Sequence, residues 1–184
     1  MKASKTLVLI FKFFVFEIIL KVGSILTHGL HRDLFKVWCR CCFEAKPPIS
    51  KKRLKILLDN GISSEFVEFG RYRHLKIKED GYCVFFENGK CKIHAIKPET
   101  CVAGPITFDI KDDMLELYIK KAEICPLVKF LKENEQILKE HLSIAVEKIV
   151  DLIRELDREE LEEIIKIEEP ETEKILEISL KELL

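Results

Sequence analysis

The rhythm of apolar and polar positions changes several times along the chain. Residues 5–36 are mostly apolar, and the stretch LVLIFKFFVFEIILKVGSIL at 7–26 is interrupted only by Lys12, Glu17 and Lys21 among charged residues. At 3.6 residues per turn Glu17, Lys21, Ser24 and His28 fall on one side. The segment is therefore predicted to be an amphipathic helix with a wide apolar face, open to a break near Gly23 or Gly29. Ser50 is placed to cap a helix over KKRLKILLDNG, which Gly61 stops, and SSEFVEFG is predicted as a Ser-capped helical turn. Between 72 and 119 the period falls to two. RHLKIKED alternates as a strand does, and YCVFF and KCKIH flank ENGK, whose Asn88-Gly89 pair signals a hairpin. KPETC is predicted as a turn or a single helical turn, and PITFDI and MLELYI flank KDD as a second hairpin in which Asp112 and Asp113 serve the turn.

Helical spacing returns at 126–156, where Leu127, Phe130, Leu131, Ile137, Leu138, Leu142, Val146, Ile149 and Ile153 predict one long amphipathic helix. Asp157 and Glu160 have the spacing of a capping box that opens another helix. Pro170 breaks the run, and TEKILEISLKELL is predicted as a final helix. The expected fold is α+β and mostly helical, a small cysteine-rich β-hairpin core with flanking N- and C-terminal helices. The expected units are an apolar or amphipathic helix at 1–34, a cysteine-cluster metal-binding domain at 35–130 and a helical extension at 131–184.

Charge divides the two ends. Residues 1–60 hold 12 Lys/Arg against 4 Asp/Glu, and residues 151–184 hold 5 against 13, so the overall balance of −1 conceals a polarity. The basic residues lack interleaved exposed aromatics, and the pI is near neutral, which argues against nucleic acid as a partner. For residues 7–26 the cost of the internal charges roughly cancels the gain of the apolar side chains on transfer into a bilayer. The segment is expected to pack on the core, with a membrane surface or a protein partner as alternatives. No cleavable signal is expected, because Lys12 breaks the apolar run and no small-residue cleavage site follows.

Seven cysteines change the picture most. Three fall in WCRCC as Cys39, Cys41 and Cys42; Cys83 and Cys91 lie on opposite arms of the first hairpin; Cys101 follows Lys97-Pro98; Cys125 precedes Pro126. An odd count in a chain of this length speaks against a secreted disulfide framework, and an adjacent-residue bridge between Cys41 and Cys42 would be strained. Reduced thiols in a cytoplasmic setting are expected, with membrane association as the alternative. Thiolates select zinc, copper(I) or iron–sulfur clusters. A hairpin holds two ligands at fixed separation, and a thiol at a helix N-terminus favours its thiolate. Cys125, alone in sequence, has a plain core thiol as its alternative reading. Adjacent side chains of an extended segment point opposite ways, so Cys41 and Cys42 are not expected to serve one ion unless the loop bends. His94, between Cys91 and Cys101, is a candidate extra ligand. No paired carboxylates, nucleophilic serine or Cys-His arrangement points to catalysis.

The order of thiols resembles the YkgJ-like cysteine-cluster family, a CxxCxxCC-type zinc- or iron-chelating domain. CKIHAIKPETC places Cys91, Ile93, Pro98 and Cys101 at the family's offsets, Pro105 matches the later proline, and Cys125-Pro126 resembles the late Cys-Pro pair. PPISKKRLKILLDNGIS resembles the family's first capped helix. The opening here is CRCC, one residue shorter between its first thiol and the pair, and the family's leading cysteine has no counterpart. His94 stands where the family has tyrosine, Lys97 where it has arginine, and Gly104 where it has an aromatic residue. The resemblance implies a metal ion or cluster as partner, with zinc or an iron–sulfur cluster held by Cys39, Cys41, Cys42, Cys83, Cys91, Cys101 and Cys125. Flagellin lysine N-methylases are relatives of the family, which makes a metal-dependent methylase or redox enzyme the rival reading. A membrane-peripheral interaction module is the third.

Overall fold

The computed structural model describes residues 40–168 and 171–183. The expected helix at 5–36, Cys39 and the break at Pro170 lie outside them. In chain order the elements are a 3₁₀ turn at Arg40–Cys42, α1 (Lys51–Asp59), a 3₁₀ turn at Ser64–Phe66, β1 (Val67–Phe69) and β2 (Arg73–Leu75). There follow β3 (Phe86–Glu87), β4 (Lys90–Cys91), a 3₁₀ turn at His94–Ile96 and α2 (Glu99–Ala103). The second half is β5 (Ile106–Lys111), β6 (Met114–Lys120), α3 (Pro126–Glu133), α4 (Glu135–Glu155), α5 (Arg158–Ile164), β7 (Thr172–Ser179) and α6 (Leu180–Leu183). The architecture is mixed α+β with small antiparallel sheets, β1-β2, β3-β4 and β5-β6-β7.

Local signals place most of these elements. Ser50 Oγ accepts the Arg53 N–H at 3.0 Å and so satisfies one of the unpaired donors that open α1. Gly61, at φ 79°, follows its last turn in the left-handed conformation that glycine adopts at little cost. Asn88 and Gly89 turn the first hairpin at φ 50° and 74°, the two positive values a type I′ turn requires. Asp112 and Asp113 do the same for the second, at 49° and 60°. Ser63 caps the 3₁₀ turn at Ser64–Phe66, but Val67–Phe69 leaves it as strand β1, paired to β2.

Buried side chains form two cores. The larger lies under the β5-β6-β7 sheet, where Ile106, Leu115, Leu117 and Ile119 meet Val128, Ala145, Ile149, Val150 and Ile153 of α3 and α4. The smaller gathers Ile49, Leu57, Val67, Leu75, Cys83, Phe85 and Ile93. Two buried ion pairs reach out of the small lobe. Arg73 Nη2 meets Glu160 at 2.6 Å, and Arg53 Nη2 meets Glu99 at 2.7 Å.

Three expectations need correction. The helix predicted over 126–156 is two helices, parted at Asn134 (φ −127°, ψ 80°), whose side chain donates to the Phe130 carbonyl at 2.8 Å and ends α3. Helix α5 begins after Asp157 as expected, but Asp157 makes no side-chain cap bond. Its carboxylate takes Lys51 Nζ at 2.8 Å, and Glu160 takes Arg73, so the capping-box residues are spent on links to the small lobe. The final helix predicted over TEKILEISLKELL is strand β7 followed by the short α6. Glu, Lys, Leu and Ile suit a helix locally. The outer edge of β6 decides otherwise, because Leu115 and Leu117 are fully buried and their strand would be left with unpaired backbone groups. Leu176 stands opposite Leu117 and Ile178 opposite Leu115, with a bulge between Leu117 and Tyr118. Sequence positions 172–179 are thus built into the sheet that begins at 106.

On the other face of this sheet, Lys174 and the Tyr118 hydroxyl bond to Glu116, the latter at 2.5 Å. Lys174 first, then Tyr118, hold its carboxyl down at about 2. A depressed folded pKa stabilises the native state above the ordinary value of 4.5, and the contribution vanishes as pH falls toward 2. The urea midpoint is expected to fall across this window, and Glu116→Gln to reduce that fall. Identical pH slopes for the two proteins would show that this network does not contribute.

Candidate metal centre

Backbone pairing brings the opening cysteine segment to the hairpin. Phe43 bridges Tyr82 in antiparallel fashion. The Cys83 N–H donates to the Cys42 carbonyl at 2.8 Å, and the Glu44 N–H donates to the Gly81 carbonyl at 2.8 Å. The Phe43 ring meets Tyr82 edge-on at 5.2 Å, and Tyr82 stacks on Phe86 at 4.8 Å. Gly81 makes this approach feasible. It sits at φ 83°, and a Cβ there would come within 2.7 Å of the Phe43 ring.

Cys41 and Cys42 lie in a 3₁₀ turn, the bent case, rather than in the extended segment on which their opposite orientation is expected. Cys41 is exposed, and Cys42 is half-buried against the small core. Cys83 is buried in that core. It does not sit directly across the hairpin from Cys91, because β4 pairs Cys91 with Phe86. A tight turn connects the two positions: the Phe86 N–H donates to the Cys83 carbonyl at 2.8 Å. Burial raises the pKa of the Cys83 thiol, the Phe85 N–H and Lys78 oppose it, and Cys91 adds to it. Cys101 lies in α2. Burial pushes its thiol up to about 12; Lys97 opposes, while Cys83, Cys91 and Cys41 push further in the same direction. Thiols 60 residues apart in sequence therefore share one electrostatic neighbourhood around Cys101.

Cys125 stands at the N-cap of α3 and packs against the larger core. His94 opens the 3₁₀ turn between β4 and α2 and is half-buried. Among the described residues no three or more His, Cys, Asp or Glu side chains are grouped so as to hold a metal ion as they stand. Cys39 lies outside those residues.

Sequence reasoning missed the groups that fix these segments. Gly81 carried a legible signal, since Asp80-Gly81 is a turn pair and Asp80 accepts the Tyr82 N–H at 3.0 Å. Arg53 and Glu99 carried none, being 46 positions apart.

Residues 38–140 match the family model described as "CxxCxxCC: Putative zinc- or iron-chelating domain". The chain belongs to this family. No curated protein and no solved structure matches it. The CxxCxxCC region takes in all seven cysteines and ends inside α4, so β7, which completes the larger sheet, lies beyond it.

The donor chemistry of the CxxCxxCC region fits a soft metal. Sulfur ligands suit zinc and iron, and they bind as thiolates. The burial and like charges that hold Cys101 protonated are a disadvantage that a nearby cation reverses.

Gly81→Ala is expected to cost about 1–2 kcal/mol, because it combines a strained φ with a clash on Phe43. The measurement is urea unfolding together with exchange of the Glu44 and Cys83 amides. Wild-type stability and unchanged protection of both amides would show that the Phe43–Gly81 contact does not hold the cysteine segment.

Proposed function

We propose that this protein binds zinc or an iron–sulfur centre through cysteine thiolates, with at least four of Cys39, Cys41, Cys42, Cys83, Cys91, Cys101 and Cys125 as ligands. The observation that carries the reading is the chelating-domain family match, which spans all seven cysteines, beside the backbone bonds that bring the opening segment to the hairpin. Cys42 is tied to the hairpin through its backbone bond to Cys83. His94 and Cys125 are the secondary candidates, on the turn after β4 and at the start of α3. A bound metal supplies the positive charge that neighbouring thiolates need. The chain's own part is to hold three separate segments together: the opening turn, the hairpin and α2.

The role assigned is structural or cluster-carrying, in a reducing compartment. A cavity of about 350 Å³ lies elsewhere, lined by Thr107, Phe108, Asp109, Tyr118 and Ile165 among others, none a cysteine. A metal-dependent enzyme would use a pocket beside the thiols, so this cavity gives that rival no support. Among the described residues no helix is long and apolar enough to cross a membrane.

Purification without oxygen, followed by metal analysis and a visible spectrum, tests the proposal. Stoichiometric zinc in a colourless protein, or iron and sulfide with visible charge-transfer bands, is the expected result, and the two outcomes name the metal. Cys83→Ser and Cys91→Ser are each expected to lower metal content by at least about tenfold. A folded wild-type protein that retains no metal and takes none up after reconstitution would refute the reading.

A further inference from the structure

We infer that Arg53 is a positioning residue for the metal centre, holding the Cys101 turn against the thiol-bearing small lobe through Glu99. The inference rests on the metal reading above and names the device that sets its geometry.

Arg53 belongs to the first turn of α1, and that turn is firmly placed. The Arg53 N–H is bonded to Ser50 Oγ at 3.0 Å, Ser50 and Ile49 are buried, and the Ile49 N–H donates to the Arg73 carbonyl at 2.8 Å. From this anchor one guanidinium makes three bonds. Nε and Nη2 donate to Glu99 Oε1 at 2.9 and 2.7 Å, and Nη1 donates to the Ile96 carbonyl at 3.1 Å. Ile96 ends the 3₁₀ turn that follows Cys91 and Lys92, and Glu99 opens the helix that carries Cys101. A single rigid fork therefore fastens the chain on the path between two candidate ligands.

Helix α2 needs the fastening. It is five residues long and has no side-chain cap at its N-terminus, so it has little helical stability of its own. At its far end His141 Nε2 lies 3.0 Å from the Ala103 carbonyl and 3.1 Å from the Gly104 carbonyl. At its near end Arg53 holds it. The Glu99 side chain is 8% exposed, and its second oxygen is buried with no hydrogen-bond partner. The carboxylate thus depends on Arg53 for its compensation. Lysine keeps the charge but cannot reproduce a planar fork that binds Glu99 and Ile96 together.

The test uses the full chain, reduced and metal-free, with cobalt(II) as the probe for a thiolate site. Arg53→Lys is expected to bind cobalt(II) about tenfold more weakly in competition with a chelator, and to show an altered thiolate-to-cobalt absorption. In the metal-free chain, Cys101 is expected to be alkylated about tenfold faster in the variant, as read by peptide mapping. Glu99→Gln, which keeps shape and acceptor but removes the charge, is expected to move both readouts the same way by about threefold; it carries the test if Arg53→Lys does not fold. Glu160→Gln breaks the other buried pair, which ties β2 to α5 and makes no bond to the Cys101 turn, and is expected to leave both readouts unchanged. Wild-type affinity and alkylation in the Arg53 and Glu99 variants would overturn the inference, as would an equal loss in Glu160→Gln, which would reduce Arg53 to general stability. A wild-type chain that binds neither cobalt(II) nor zinc nor iron would overturn the metal reading and this inference with it. Unchanged Cys101 alkylation beside intact wild-type metal binding would overturn this inference alone.

Discussion

An arginine sunk against a glutamate, Arg53 with Glu99, fastens the Cys101 turn to α1, and a second such pair, Arg73 with Glu160, ties β2 to α5. Arg53 with Glu99 and Arg73 with Glu160 are largely buried pairs at 2.7 and 2.6 Å, and both partners are spent on the contact. The lobe they fasten has strands of two or three residues and a core of seven buried side chains. Strands so short contribute little stability alone. A buried ion pair is no general source of stability either, because desolvation offsets its attraction. Its force is in the alternative: removing one partner strands a charge in the interior at a cost of about 3–5 kcal/mol. The pairs therefore penalise any arrangement in which α1, α2, β2 and α5 drift apart.

That constraint bears on the thiols. Cys101 lies two residues beyond Glu99, and its environment combines burial with the fields of Cys83, Cys91 and Cys41. The turn that carries Cys101 is fixed by groups other than the thiols. Held by Arg53 at one end and by His141 at the other, it stays. Phe43, seated on Gly81, similarly keeps the opening turn beside Cys83. Cys41, Cys83 and Cys91 thus lie within electrostatic reach of Cys101, though among the described residues no three such side chains are grouped to hold an ion as they stand.

Features set by a few neighbouring residues were legible in the chain. Ser50, Asn88-Gly89 and Asp112-Asp113 each act within four positions, and each does in the structure what its local chemistry predicts. The order and offsets of the cysteines identified the family correctly. The failures came where a distant partner outbid a local preference. Asp157 and Glu160 have capping-box spacing, but Lys51 and Arg73 offer their carboxylates full charges. Leu176 and Ile178 suit a helix by composition, but the open edge of β6 takes them as a strand.

The amino-acid sequence by itself determined the thiol inventory, the two hairpins, the capped helix α1 and membership of a chelating family, since these depend on residue type and short spacing. Only the tertiary structure decided that β7 completes the larger sheet and that Arg53 reaches Glu99. Only it brought Cys41, Cys83 and Cys91 within electrostatic reach of Cys101. The physical reason is distance along the chain. Hydrogen-bond demand at a sheet edge and the desolvation of a buried charge are settled by whichever group arrives in space, and no local pattern records which one that will be.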